Sequence, residues 1–306
     1  MGIFLVWYSL SSLNKSDLQQ IRTSFIETDY SWVSLSVFLG FLSHLIRAER
    51  WRLALNPLGF KTKIIYLFAS VCKGYLVNLV IPRAGEFSRA ASIQVSSGVP
   101  MEKAFGTIVT ERIVDLLMLV LVIFIALSFQ TDYILGLFSE SILAQPYKIV
   151  TAAFIFLFLI AVLYFLTFKI KSRFNTWVKS KLQGLIDGAL SILQMKNKGL
   201  YALYSFLIWT LYLAMFYAGT QAIEETSNLP VAAIFTAFIA GTFSIATTNG
   251  GIGSYPLGIQ QALLLYSCPA ITGLSFGWIM WSTQTLLVLV LGGISFLFLG
   301  KKPQVN

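Results

Sequence analysis

Histidine occurs once in these 306 residues, cysteine twice, and acidic side chains number 13 against 22 basic ones. Each scarcity removes a class of chemistry. A lone His44 can assemble neither a serine-histidine-aspartate set nor a histidine metal site, since both need partners. Flanked by Ser43 and Leu45, it reads as a satisfied helix-end histidine before it reads as a ligand. Cys72 and Cys268 are far apart and lie inside apolar runs, which implies no disulfide framework and no metal centre. Charged residues make up only 11% of a chain that is 57% hydrophobic, too few to clothe a soluble surface. The weak alternation of a membrane β-barrel is missing. Several apolar runs instead approach the ~20 residues that cross a hydrocarbon core as helix. The fold class is all-α, a polytopic helical membrane protein. No P-loop is present, and Gly251-x-Gly253 follows an apolar helix instead of a strand, so neither ATP nor a dinucleotide is expected as a cofactor. The net charge of +9 comes from basic residues in loops between apolar runs, which fits membrane sidedness and anionic headgroups and points away from nucleic acid.

Residues 1–13 are apolar but short of a crossing, and no basic stretch precedes the apolar one. They read as a short first helix, not as a cleavable leader. A second helix is expected from about Ser31 to Ile46, followed by a basic loop holding Arg47, Arg50, Arg52, Lys61 and Lys63. Crossings follow at 104–128, 149–168, 200–222 and 273–299, making about six with the first helix. Acidic loops carry Asp132 with Glu140, and Glu224 with Glu225. The connector 169–198 holds seven positive charges against Asp187 alone. Its Trp177, Val178, Leu182, Leu185, Ile186 and Leu190 recur at helical spacing, which suits either an amphipathic helix on the membrane face or a connector packed on the bundle. Basic loops inside place the C-terminus, beyond Lys301 and Lys302, on the cytoplasmic side.

That sidedness constrains two ambiguous stretches. Residues 64–103 must cross an even number of times, and the economical solution is a hairpin that enters, breaks at Pro82 and returns. Residues 230–270 obey the same parity, with a break at Thr247 to Pro256. Gly74 precedes Pro82 by eight residues, and Gly241 precedes Asn249 by eight. Three crossings separate the hairpins, so they enter from opposite faces, as in the inverted repeats of many transporters. One transmembrane domain over 1–306 is expected, with repeat-like halves at about 31–128 and 200–299.

Seven ionisable residues then fall at membrane depth: Lys73, Arg83, Glu86, Arg89, Glu111, Arg112 and Asp115. Each costs at least ~2.5 kcal/mol at a helix centre, so they should pair or line a cavity. Arg83, Glu86 and Arg89 are spaced to share one helix face. Glu111 and Asp115, four apart, repel unless a cation lies between them. Four positive charges face three negative ones, which leaves one for an anion. A half-helix starting at Pro82 would present free N–H groups and its positive dipole end, and phosphate suits that end. Asn78, Asn249, Gly250, Gly251 and Gly253 complete the expected substrate-binding set, the glycines letting backbone approach a headgroup. The alternative is a charge network that only locks the bundle.

Asn78 to Ala90 (NLVIPRAGEFSRA), with Thr110 to Asp115 (TERIVD) and Arg50-Trp51, resembles the transmembrane region of the lysylphosphatidylglycerol synthase/flippase family, the membrane half of the bacterial multiple-peptide-resistance factor and its stand-alone relatives. The resemblance covers about residues 30–300. It implies a helical flippase with re-entrant segments in the inner membrane of a bacterium, acting on lipids with charged or glycosylated headgroups. Arg83, Glu86, Arg89, Glu111, Arg112 and Asp115 match the family pattern. The second motif departs from it, because Asn249 stands for a proline and Pro256 for an acid, which weakens the case for a cationic aminoacyl lipid. The soluble aminoacyl-transferase half is not in this sequence, so the chain is not expected to make aminoacyl lipid.

The expectation is a translocase, not an enzyme, moving a phospholipid or polyprenyl-phosphate-linked headgroup of anionic or zwitterionic character by alternating access. It would need no metal or cofactor; it could work beside a separate lipid-modifying enzyme and could form an oligomer. The alternative is a membrane subunit or enzyme that presents a lipid-linked donor to a glycosyl- or acyltransferase. A purely structural scaffold is the third reading, and intramembrane charge makes it costly.

Overall fold

A computed structural model describes residues 2–11, 13–129 and 194–300, with residues 183, 187, 188, 190 and 191 between them. The crossing expected at 149–168, the loop with Asp132 and Glu140, most of the connector 169–198, and Lys301 and Lys302 lie outside the described residues. Among those described there is no strand. In order come α1 (Gly2–Ser11), α2 (Lys15–Glu27), α3 (Tyr30–Leu55), α4 (Ile64–Val80), α5 (Gly85–Ser97), α6 (Met101–Ser128), α7 (Lys198–Thr220), α8 (Glu224–Ser227), α9 (Val231–Thr247), α10 (Ser254–Leu264) and α11 (Ala270–Gly300).

Among the described residues three helices are long and apolar enough to cross a membrane: α3 with the 3-10 turn that follows it, α7 and α11. The 28 residues of α6 span ~42 Å at 1.5 Å per residue, although Glu111, Arg112 and Asp115 interrupt its apolar sequence. The chain is a multi-pass membrane protein. The first helix is short, as its sequence suggests: the ten residues of α1 reach only ~15 Å. A correction concerns α3. It does not stop at Ile46 but continues to Leu55, because nothing breaks a helix before Pro57 and Gly59, where a 3-10 turn and a left-handed Gly59 end it. Its start is fixed by Asp29, whose carboxylate accepts from the hydroxyl and the backbone N–H of Ser31 and is thereby held below the usual carboxylate range.

Side-chain contacts sort the helix ends into two sets. Ser36 reaches Met215 O, Arg50 reaches Ser205, and the Asp29 N–H donates to Ala222 O, so α3 and α7 are antiparallel. Trp51 meets Thr107 and Arg47 meets Glu111, so α6 is antiparallel to α3. Phe129 packs on Phe235, and Tyr66 packs on Phe298. Leu55, Ile64, Met101, Lys198 and Gly300 therefore lie at one end; Tyr30, Ser128, Thr220 and Val231 lie at the other. The first end carries Arg52, Lys61, Lys63, Lys196 and Lys198, and the second Glu27, Asp29, Glu224 and Glu225.

Both expected hairpins are present, and α11 runs past each in turn. Gly277 of α11 sits against Pro256 and Ile259 of α10, and Trp281 donates to Gly250 O at the tip of the α9–α10 hairpin. Further along, Gly292 abuts Leu76 and Cys72 of α4, and Phe298 stacks on Tyr66. The hairpins thus approach from opposite ends of α11. Their tips touch, because Gly250 leaves no room for a Cβ against Leu79 of α4.

Candidate functional site

The two hairpins share a register that composition could not display. Gly74 and Gly241 are each the eleventh residue of a 17-residue limb. Each limb ends on an extended residue, Ile81 (φ −120°) or Thr248 (φ −129°). Two residues later each chain turns left-handed, at Arg83 (φ 61°) and Gly250 (φ 60°). Glycine is free there, whereas an L side chain costs on the order of 1–2 kcal/mol. At Gly74 a Cβ would lie 2.6 Å from Arg89 Cγ, so the bare backbone lets the arginine stem lie across α4.

Arg89 leads into a buried ionic cluster. Its Nη2 donates to Glu111 Oε2 at 3.0 Å while its guanidinium lies 4.4 Å from the Trp51 ring centroid. Trp51 is itself held by a 2.8 Å bond from Nε1 to Thr107 Oγ1. Arg47 Nη1 bridges Glu111 Oε1 (2.6 Å) and Asp115 Oδ2 (2.8 Å), and its Nη2 donates to the Tyr212 hydroxyl (3.0 Å). Arg50 Nη2 reaches Asp115 Oδ1 at 2.7 Å, and its Nη1 reaches Ser205 Oγ at 3.0 Å. Three arginines from α3 and α5 therefore enclose two carboxylates of α6, all buried. Glu111 lies ten residues from the start of α6 and Arg47 eight from the end of α3, a depth of ~12–15 Å. The Nε of each arginine has no hydrogen-bond partner among the described residues. A second pair is more open: Arg112 Nη2 to Glu86 Oε1 at 2.7 Å, joining α6 to α5.

Of the residues expected at the site, Glu86, Arg89, Glu111, Arg112 and Asp115 are brought together. Arg83 is exposed, in the turn before α5. That corrects the expected half-helix: it starts at Gly85, so Pro82 lies in the turn and Arg83 does not share a helical face with Glu86 and Arg89. Asn78 caps the half-helix from across the hairpin, its Oδ1 accepting from the Gly85 N–H at 2.7 Å. Lys73 points to α11, its Nζ 5.2 Å from the Phe296 ring, near the end that carries the basic residues. Asn249 and Gly250 form the second tip. Gly251 (φ 76°) and Gly253 (φ 73°) continue its left-handed turns, and a Cβ on Gly253 would lie 2.8 Å from Gly2 O of α1. Thr248 Oγ1 and Ser254 Oγ, 2.7 Å apart, staple this tip.

Sequence reasoning missed Arg47 and Arg50 as members of the cluster, having placed both in a basic surface loop. The available signal was their i, i+3 spacing with Trp51 on a helix that no proline or glycine interrupts. His44 is likewise inside α3, its ring tilted against that of Tyr75 with centroids 4.8 Å apart, and not at a helix end. No group of residues with metal-ligand spacing occurs among the described residues. Cys72 and Cys268 are free and buried.

Comparison with known proteins adds a family. The family described as lysylphosphatidylglycerol synthase TM region matches residues 1–293. A UPF0104 membrane protein of Methanocaldococcus jannaschii is 30% identical over 101 residues, 32% of this chain and 30% of that protein. The glycosyltransferase AglD of Haloferax volcanii is 29% identical over 92 residues, 30% of this chain and 15% of that protein. The matched stretch therefore spans less than a third of either relative. No solved structure matches.

Proposed function

Because the chain belongs to the lysylphosphatidylglycerol synthase TM region family, we propose that it is a lipid translocase, with the two hairpins forming the path of a phosphate-bearing headgroup. One observation carries this reading: hairpins from opposite ends of α11 meet tip to tip at Leu79 and Gly250, beside a membrane-embedded cluster of four arginines and three carboxylates. The matching limb lengths, glycine positions and left-handed tip residues support an inverted repeat. In such a repeat, one hairpin moving against the other exposes the shared site to alternate sides while acyl tails stay in lipid.

The buried cluster of Arg47, Arg50, Arg89, Glu111 and Asp115 fixes α3, α5 and α6 as one body. The exposed Arg83 and Arg112, the latter paired with the half-buried Glu86, face the headgroup. The basic end lies in the cytoplasm of a cell whose surface membrane holds the protein, and the C-terminus lies with it. The chain catalyses no covalent step and takes no cofactor. Its partner is an anionic or zwitterionic membrane lipid, with a separate lipid-modifying enzyme before or after it.

Vesicles containing the purified chain and headgroup-labelled phosphatidylglycerol or polyprenyl phosphate test the reading by quenching of the outer label. Quenching of label initially on the inner leaflet, faster than in protein-free vesicles, is expected for at least one lipid. Rates equal to protein-free vesicles for both would overturn it. The partial match to a glycosyltransferase favours one second reading, a membrane subunit that presents a lipid-linked donor to a transferase. That reading expects lipid turnover with a partner present and no transbilayer movement.

A further inference from the structure

Resting on the translocase reading, we infer that the headgroup taken at the hairpin tips is net negative, carries no ammonium group, and is selected by Arg83. The argument starts from the acids. Glu111 is held by Arg47, Arg50 and Arg89; Asp115 by Arg47 and Arg50; Glu86 by Arg112; and Glu49 by Arg52. Of the remaining described acids, Glu27, Asp29, Glu102, Asp187, Glu224 and Glu225 lie at or beyond the ends of the long helices, and Asp17, in the first turn of the polar α2, accepts from the Asn14 N–H. Asp132 and Glu140 lie outside the described residues, in a stretch between apolar runs. Among the described residues no carboxylate at membrane depth is without an arginine, so an ammonium group there would have to displace an arginine from a charge-assisted bond.

The cations are arranged in the opposite way. Four arginines meet three carboxylates in the cluster, and Arg83 has no carboxylate within ion-pair distance among the described residues. Arg83 is exposed in the tip turn, next to the contact of Leu79 with Gly250. A cation in that place is unfavourable unless it meets an anion or water. Its backbone is unfavourable too: φ is 61°, where the corresponding residue of the other hairpin is Gly250 at φ 60°. Glycine would serve the turn better, so the charge is what the arginine contributes. The five Arg83 guanidinium donors match phosphate oxygens and repel an aminoacyl cation.

The full chain in nanodiscs, titrated with dihexanoyl lipids, reads this as binding and without any transport step. Phosphatidic acid and phosphatidylglycerol are expected to bind about tenfold tighter than lysyl-phosphatidylglycerol or phosphatidylethanolamine. Arg83→Gly should abolish that preference with no fall in the thermal midpoint, because glycine suits the left-handed turn, whereas Arg83→Lys should keep the preference in part. A merely structural arginine would give the reverse, a changed midpoint with the preference intact, and that result would overturn the inference. So would tightest binding of lysyl-phosphatidylglycerol, or equal competition by inorganic phosphate, which would assign the site to a free anion. Absence of transport with the binding preference intact would instead overturn the translocase reading alone.

Discussion

Glu111 accepts from two arginines and lies 3.2 Å from a third, so removing its charge leaves buried guanidinium groups uncompensated. Breaking a buried pair from one side costs about 3–5 kcal/mol, far more than an exposed pair contributes. Glu111→Gln should therefore lower the thermal midpoint in detergent strongly. Arg112→Gln, at a side chain 42% exposed, should cost at most ~1 kcal/mol of stability and so shift the midpoint far less. Comparable losses for the two would mean that the cluster is not the rigid centre described. At this scale the sequence was legible for Glu86, Arg89, Glu111, Arg112 and Asp115, because a charge inside an apolar run has few destinations. Arg47 and Arg50 were misplaced because arginines at the end of an apolar run look the same whether the helix stops or continues.

The hairpins are where element length and tip geometry meet. Limbs of 17 residues rise ~25 Å, and each turns on a residue at φ near 60°. If the tips part during transport, a thiol-specific cross-link between Leu79→Cys and Gly250→Cys, with Cys72 and Cys268 replaced by serine, should arrest headgroup movement in vesicles, and transport unaffected by complete cross-linking would show that they need not part. The proline and glycine breaks located the tips of both hairpins, whereas the crossing at 149–168 on which the parity argument depends lies outside the described residues. The start of α5 was misjudged: Pro82 suits a first helical turn, yet the left-handed Arg83 delays the helix to Gly85, where Asn78 can cap it.

For the molecule as a whole, the ends at Asn56 and Asn197 lie opposite the end at Asn228. Single cysteines at Asn56 and Asn228 should therefore be labelled by an impermeant maleimide from opposite sides of the membrane, while the buried Cys72 and Cys268 stay unlabelled. Labelling of both from one side would overturn the antiparallel arrangement of α3 and α7. By itself the sequence determined the helical membrane class, the two broken segments, and the family to which NLVIPRAGEFSRA and TERIVD belong, because hydropathy, loop charge and helix breakers act over a few residues and are written locally. Only the tertiary structure decided that Arg47 and Arg50 join the cluster, that the hairpin tips touch along α11, and that Arg83 at φ 61° pairs with no carboxylate among the described residues. Those are relations between helices distant in the chain, fixed by which side chains packing brings within hydrogen-bond reach, and no local pattern encodes them.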